Sequence, residues 1–469
     1  LRRTARPLPT GRSSPHALRS PAMPALLVAL LFSLALVWLG DLRAEPTRAI
    51  VLLMAWGLLG LLAHALDLRR HRLDPPGTER LDVRRLRPRQ VFVAALAVRA
   101  LLLASPPSLS DDLYRYIWEG WLVLHGGNPY LQAPAELGLV PELPVRELVN
   151  HPGVTSIYPP LALWLFAVLA ALSPTALLFK AAMALCDAGV AAALAMALRA
   201  RGRSTANAWL YAVLPLAAVE SAGSGHMEFL ALLGMALALA HWSEGRSGLG
   251  WAGLGGLVKF LPFVMLPSLR HRQPWLLLLV LALGVASAWP FVAAGPAMLR
   301  GLLTYGQHWS FNAGGFALLS GLLAPLGIVA REARLIAVGI GALVVLGSWW
   351  KLRDPARVAL WVGGAFVLLS PTVHPWYLVW VWVPALLCGV RSWTVLVLLA
   401  PLSYAALTTY DPLTRAWQEP AWPAFAQYLP LAAAALAESL WQQMRPGPWS
   451  PSPMPSEPSA EPSRSASPI

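Results

Sequence analysis

The chain has 469 residues, of which 57% are hydrophobic and only 13% charged, with a formal net charge of +13. A soluble domain carries about 25% charged residues, so the composition excludes an ordinary soluble fold. Apolar runs recur from residue 22 to residue 441. They are too long and continuous for barrel strands, which leaves an all-α, polytopic membrane protein. The positive charge then reads as membrane orientation rather than as a nucleic-acid surface. Cys186 and Cys388 lie in separate apolar runs with no CxxC pair, so neither a disulfide nor a zinc site is expected.

In chain order, residues 1–21 are rich in Arg, Ser and Pro. They read as a cytoplasmic basic tail, or as the result of a start placed ahead of Met23. The apolar run after Met23 lacks a small-residue cleavage site and reads as an anchor. Spans are expected at 22–39 and 48–66, followed by eight arginines between 67 and 90. The positive-inside rule puts that loop and the N-terminus in the cytoplasm. A third span at 90–104 leads to an outer loop over 105–159. The run 160–172 is too short to cross and reads as half-inserted. With 177–199 as the next span, Arg199, Arg201 and Arg203 fall inside.

Spans at 207–221 and 226–241 are joined outside by Glu220 to Glu228. The stretch 248–269 begins and ends inside and carries Lys259 and two prolines. It reads as a re-entrant hairpin with Lys259 near the outer tip, an arrangement tolerated only where it is buried or lines a cavity. The span 274–293 leads to an outer loop at 307–312, and a short helix over 316–328 stays outside. Spans at 333–350 and 357–371 bracket the inner loop Lys351 to Arg357, and Ser370 to Tyr377 lie outside. Spans at 376–390, 393–409 and 424–441 complete one transmembrane domain over 22–444. The Pro/Ser-rich stretch 445–469 is expected to be a disordered cytoplasmic tail. The sum is about twelve spans plus short interfacial and re-entrant helices.

The arginines alone thus carry Asp111, Asp112, Tyr158, His226, Glu228, Lys259, Asn312 and His374 to one face. The stretch Ser110-Asp111-Asp112-Leu113-Tyr114-Arg115-Tyr116 sits where an apolar run meets a long polar loop. Ser110 is expected to N-cap a short helix, with both aspartates in its first turn. Arg115, three and four residues on, is expected to face both. Leu113, Ile117 and Trp121 form another face, apolar enough to lie on a membrane surface. Carboxylates, histidines and a lysine at such an interface suit a water-soluble acceptor meeting a lipid-phosphate donor. A carboxylate serves as general base on a hydroxyl, while Lys259, Arg115 and His374 can neutralise a phosphate. Among the outer acids Asp112 is favoured as base, because Glu119 lies deeper in the loop and Glu220 and Glu228 lack an adjacent cation.

These residues resemble a known family. Ser110 to Tyr116 followed by Gly126-Gly127-Asn128-Pro129-Tyr130 looks like the first outer loop of GT-C glycosyltransferases, and of the bacterial polyprenyl-phosphate-mannose-dependent mannosyltransferases in particular. Asn150-His151-Pro152 through Tyr158-Pro159-Pro160 resembles the end of that loop. Gly225-His226-Met227-Glu228, Val258 to Pro262, Trp309-Ser310-Phe311-Asn312 and Ser370-Pro371 with His374-Pro375-Trp376-Tyr377 follow in family order over residues 108–390. The resemblance implies inverting transfer of a hexose, mannose by family, from a polyprenyl phosphate to a lipid or glycan acceptor at the outer leaflet of a bacterial inner membrane. It implies Asp112 as base, with Asp111 beside it and an assisting His374. Arg115, Tyr116, Tyr158, His226, Glu228, Lys259, Trp309, Asn312, Trp376 and Tyr377 are the expected substrate contacts. No cofactor is expected and no divalent metal is indicated. Two features depart from the family pattern: two spans precede the carboxylate loop where many relatives have one, and Glu228 stands where Asp or Asn is common.

Each residue also has a plainer reading. The aspartates can be a helix cap, Lys259 a snorkelling side chain, His226 and Glu228 solvated loop residues, and His374 a helix terminus. Tyr158-Pro159-Pro160 can be a helix start, and the remaining tryptophans an interface belt. A second functional class, a secondary transporter or lipid flippase, would place its ionisable groups at the midplane between inverted repeats. No internal repeat is visible.

Overall fold

A computed structural model describes residues 23–73, 82–137, 143–270, 273–411 and 417–444. The expected tails at 1–21 and 445–469 lie outside the described residues, as do the centre of the basic loop and Arg272. The described chain is helical. In order, the helices are α1 (Pro24–Leu39), α2 (Pro46–Leu73), α3 (Pro88–Leu102), α4 (Asp112–Leu124), α5 (Pro160–Leu172), α6 (Ala176–Ala200), α7 (Ala206–Val213), α8 (Pro215–Ala218), α9 (Glu228–Ser243) and α10 (Leu249–Val258). They continue as α11 (Leu266–Leu269), α12 (Leu276–Ala288), α13 (Arg300–His308), α14 (Gly314–Leu323), α15 (Ala330–Lys351), α16 (Pro355–Leu369), α17 (Val379–Cys388), α18 (Ser392–Leu399) and α19 (Trp422–Met444).

Proline opens many of these helices. Pro24, Pro88, Pro160 and Pro355 stand at the starts of α1, α3, α5 and α16, where a missing N–H removes no helical bond. Side chains cap others. Thr175 accepts from the Leu178 N–H ahead of α6, and Asp354 accepts from the Ala356 N–H ahead of α16.

Five helical stretches are long and apolar enough to cross a membrane: Pro46–Arg69, Ala176–Ala200, Leu276–His308, Ala330–Lys351 and Ser392–Thr409. Most of the other expected spans appear as apolar helices of 10–17 residues. Local chemistry shortens them. The expected span 207–221 breaks at Leu214-Pro215 and ends in a π-helical turn over Val219–Gly223. In the stretch expected to reverse, α10 stops at Val258, Lys259 is extended, and the 3-10 turn Leu261–Met265 packs back on α10.

The helices α3, α6, α7, α9 and α10 pack into the centre of the bundle, with α1 beside α3 and α2 against α1. The stretches Leu276–His308 and Ala330–Lys351 lie at the periphery, each only 17% buried over its most apolar window. The apolar face of α4 does not lie on a membrane surface as expected. Leu113 and Ile117 are fully buried, because α4 packs tightly on α5. At the crossing a Cβ on Gly120 would stand 2.4 Å from the Phe166 carbonyl oxygen, so only glycine permits this approach.

Candidate functional site

The two aspartates part company at the head of α4. Asp112 occupies the first turn, and its N–H donates to the Ser110 hydroxyl at 3.3 Å. Asp111 takes the N-cap position without capping through its side chain. Instead, Asp111 Oδ1 accepts from Arg43 Nη2 at 2.5 Å. Arg43, from the turn between α1 and α2, also donates to the Ser108 carbonyl at 3.0 Å and the Tyr410 hydroxyl at 3.3 Å. Asp112 Oδ1 accepts from Asn150 Nδ2 at 2.7 Å, and its Oδ2 lies 3.8 Å from His226 Nδ1. Its side chain remains 27% exposed.

Arg115 binds neither aspartate. It donates to the carbonyls of Asn150 (2.6 Å), His151 (2.8 Å) and Val154 (3.0 Å), and it pairs with Glu119 at 3.5 Å. A forked guanidinium buried one turn along the helix satisfies its donors on the nearest carbonyls. Here those belong to the end of the loop between α4 and α5. Arg115 therefore anchors that loop and brings Asn150 to Asp112.

The opposite wall comes from the segment before α9. Gly225 has φ +76°, and a Cβ there would meet Leu113 at 2.9 Å; both demands select glycine. That turn aims His226 inward, where it is fully buried. Its ring stacks on Trp376 at 3.6 Å, Trp376 stacks on His374 at 4.4 Å, and His374 stacks on Phe311 at 4.8 Å. His226 Nε2 lies 3.4 Å from Glu220 Oε2, in the π-helical turn, and Tyr404 donates to the other Glu220 oxygen.

Glu228 opens α9 and is also buried. The solvated-loop reading of His226 and Glu228 is therefore overturned, and so is the expectation that Glu228 lacks a cation. Lys259 donates to it across a break of 31 residues. The ammonium stands 4.9 Å from the centre of the Tyr377 ring, whose hydroxyl is 2.8 Å from that of Tyr305.

Aromatic rings close the back of the site. Tyr116 stacks on Phe166 at 4.9 Å and meets the edge of Tyr158 at 5.4 Å, while Tyr130 donates to the Tyr158 carbonyl at 2.6 Å. Trp309 sits further out, against His151 at 4.7 Å. Asn312 turns away. With φ +48°, a left-handed conformation that Asn tolerates, it bonds the Gln427 amide of α19 at 3.1 Å.

The structure thus gathers Asp112, His226, Glu228, Lys259, His374, Trp376, Tyr377, Tyr116 and Tyr158. Asp111, Arg115, Trp309 and Asn312 lie around that group with other partners. Arg43, Tyr305 and Tyr404 join the site without having been expected there, as does Glu220, which has no cation near it in sequence. Of the residues not expected there, only Asn150 carried a signal, since it opens a family-like motif.

The electrostatics separate the acids. Burial raises the Asp112 carboxyl to about 6; the Asn150 hydrogen bond opposes this, the Glu228 charge adds to it, and Arg115 and Lys259 oppose it. Burial raises Glu119 to about 7, against the pull of Arg115 and Ser156, but Glu119 is sealed from solvent. Burial pushes His374 down to about 3, with the Lys259 charge in the same direction, so its imidazole is neutral. A part-exposed, ionisable carboxylate beside a lysine and a rigid wall of stacked rings can take a proton from a hydroxyl. Among the described residues no group of three or more His, Cys, Asp and Glu is set to hold a metal ion.

Residues 21–272 match the family described as alpha-(1->6)-mannopyranosyltransferase, N-terminal domain. No curated protein and no solved structure matches the chain. The family match spans more than half of the chain and includes Asp112, Asn150, Glu220, His226, Glu228 and Lys259, while the ring stack of His374 and Trp376 lies beyond it. It sets aside the transporter alternative and fits the GT-C mannosyltransferase resemblance of the outer-loop motifs. The chain belongs to the alpha-(1->6)-mannopyranosyltransferase family, and it is a membrane glycosyltransferase.

Proposed function

We propose that the enzyme moves a mannosyl residue from a polyprenyl phosphate to a hydroxyl of a lipid or glycan acceptor. The reaction takes place at the outer face of the cell membrane, as a step in building the cell envelope. The single observation that carries this reading is the setting of Asp112: a part-exposed carboxylate held by Asn150, with Lys259 and the ring stack across from it.

Asp112 takes the acceptor hydroxyl proton as the oxygen bonds to the anomeric carbon. The bond from that carbon to the phosphate oxygen breaks, and the polyprenyl phosphate leaves with the electron pair. One displacement inverts the anomeric centre. Lys259, tethered by Glu228 yet 29% exposed, balances charge on the departing phosphate. His374 and Trp376, stacked between His226 and Phe311, form a rigid wall beside the sugar, and His374 acts there as a neutral ring. Asp111 holds the start of α4 through Arg43, and Arg115 holds the end of the outer loop. In this reading residues 22–444 form the catalytic domain, the loop 105–159 faces outward and both termini are cytoplasmic.

The test incubates membranes containing the enzyme with labelled polyprenyl-phosphate mannose and candidate acceptors. Label should pass to an acceptor in the intact enzyme and not in Asp112→Asn. Retained turnover in that variant overturns the assignment of the base. A cysteine placed at exposed His125 should react with an impermeant reagent from the outer side; reaction only from the cytoplasmic side overturns the orientation.

A further inference from the structure

We propose that His226 is a positioning residue for Asp112, set from behind by Glu220 and Tyr404, rather than a substrate ligand. The proposal rests on Asp112 acting as the base. Four residues from four separate places form one line: Tyr404, Glu220 in the π-helical turn, His226 before α9, and Asp112 at the head of α4. Tyr404 donates to Glu220 Oε1, Glu220 Oε2 lies 3.4 Å from His226 Nε2, and His226 Nδ1 lies 3.8 Å from Asp112 Oδ2.

Burial separates this role from ligand binding. His226 and Glu220 are 0% and 1% exposed, and Trp376 covers a face of the imidazole at 3.6 Å. Only the ring's nitrogen edge is in play, and it runs from one carboxylate to the other. Both ring nitrogens and Glu220 Oε2 are buried without a hydrogen bond within normal limits. Orphaned buried polar atoms are rare and costly in folded proteins. Three of them on one line mark contacts that close in the working complex, since catalytic hydrogen bonds often tighten only when substrate is bound.

The donor logic follows from the imidazole. A neutral ring that donates through Nδ1 accepts through Nε2, and a protonated Glu220 then supplies the hydrogen. Asn150 already holds Asp112 Oδ1. A His226 donor on Oδ2 fixes the second oxygen and so the direction of the lone pair offered to the acceptor. It also favours the charged carboxylate. The other groups bearing on Asp112 are Arg115 and Tyr116 on its own helix, Glu228 on α9, Lys259 after α10, and the phenols Tyr158, Tyr305 and Tyr377. Glu220 faces Tyr404, Ser224, Glu228 and Asp112, and His226 also faces His374 and Lys259.

The test measures kcat against pH, and KM for labelled polyprenyl-phosphate mannose, with the full-length enzyme in membranes. Loss of the donor in His226→Ala should move the acid limb of kcat upward by about one pH unit and lower kcat at neutral pH about 10-fold, with donor KM nearly unchanged. Glu220→Ala should shift the limb the same way. Glu220→Gln, whose amide still donates to Nε2, should keep the limb near its original position. A raised donor KM with an unmoved limb makes His226 a binding residue and overturns the proposal. Where His226→Ala does not fold, the Glu220 pair decides, and equal limbs in the alanine and glutamine variants overturn it too. Turnover in Asp112→Asn would instead remove the base assignment, so the two failures are distinct.

Discussion

Two polar clusters sit in this bundle, and they are built on opposite lines. In the centre, Arg99 of α3 pairs with Asp187 of α6 at 2.6 Å, and both side chains are fully buried. Asp187 also accepts from Tyr211 at 2.6 Å and Ser221 at 2.8 Å, while Arg99 donates to the carbonyls of Ala95 and Ala212. Three helices and the π-helical turn are tied by charges that face one another, with one Arg99 nitrogen left over. At the head of α4, Asp112 and Lys259 keep part of their surface open, and Glu220, His226 and Glu228 leave buried polar atoms unpaired. A cluster whose charges are paired in an apolar interior has few atoms left for a ligand, and breaking it strands a buried charge. An unpaired one next to solvent has capacity for a substrate. The clusters meet at the π-helical turn, where Ser221 faces the first and Glu220 the second, so the structural cluster holds the frame of the functional one. Such π turns recur at functional sites.

The largest expected effect separates the clusters directly. Asp112→Asn should lower transfer by a factor of about 100 to 10,000 while leaving the amount of folded protein unchanged. Asp187→Ala should do the reverse. It strands Arg99 in an apolar interior at a cost of about 3–5 kcal/mol, read as loss of folded protein and of thermal stability in detergent. Abundant, stable Asp187→Ala enzyme with no activity would break the comparison.

Lys259→Ala should raise donor KM and lower kcat about 10-fold by removing the charge near the phosphate, with Lys259→Arg keeping part of both. Unchanged donor kinetics would leave the lysine only its contact with Glu228. The pH profile gives a smaller effect. Asp112 must be ionised to act as base, and burial holds its carboxyl at about 6. Transfer should therefore be at its plateau above that value and fall about tenfold per unit below it; a flat profile down to pH 5 would remove Asp112 as the titrating base. The smallest effect is expected at the other aspartate. Asp111 and Arg43 are 22% and 20% exposed, and such pairs contribute about 1 kcal/mol or less. Asp111→Asn and Arg43→Ala should lower kcat only a few-fold, and by the same factor in the double variant. Independent, multiplying losses would show that Asp111 acts apart from Arg43.

The elements themselves were largely legible. The apolar runs placed most helices within a few residues, and Lys259 does sit where α10 breaks off. The carboxylate loop was legible as well, because charged residues beside an apolar run stand out. Partners were not. Arg115 could be placed three and four residues from two aspartates, yet neither carboxylate receives it, since the carbonyls of residues 150, 151 and 154 lie closer to its donors. Glu228 gained a lysine 31 residues away, Asp111 an arginine 68 residues back, and Glu220 a tyrosine 184 residues ahead.

What the sequence by itself determined was therefore local or additive: hydropathy, the helix breaks, and the concentration of polar residues near α4, α9 and the turn before α17. Those follow from each residue's own transfer free energy and backbone preference. Tertiary structure alone decided which of two adjacent aspartates pairs with an arginine and which faces Asn150 and His226. Asp112 lies in the first turn of α4 and Asp111 at its non-helical N-cap, so the two side chains point to different neighbours. Those neighbours, Arg43 on one side and Asn150 with His226 on the other, are brought there by packing among distant segments.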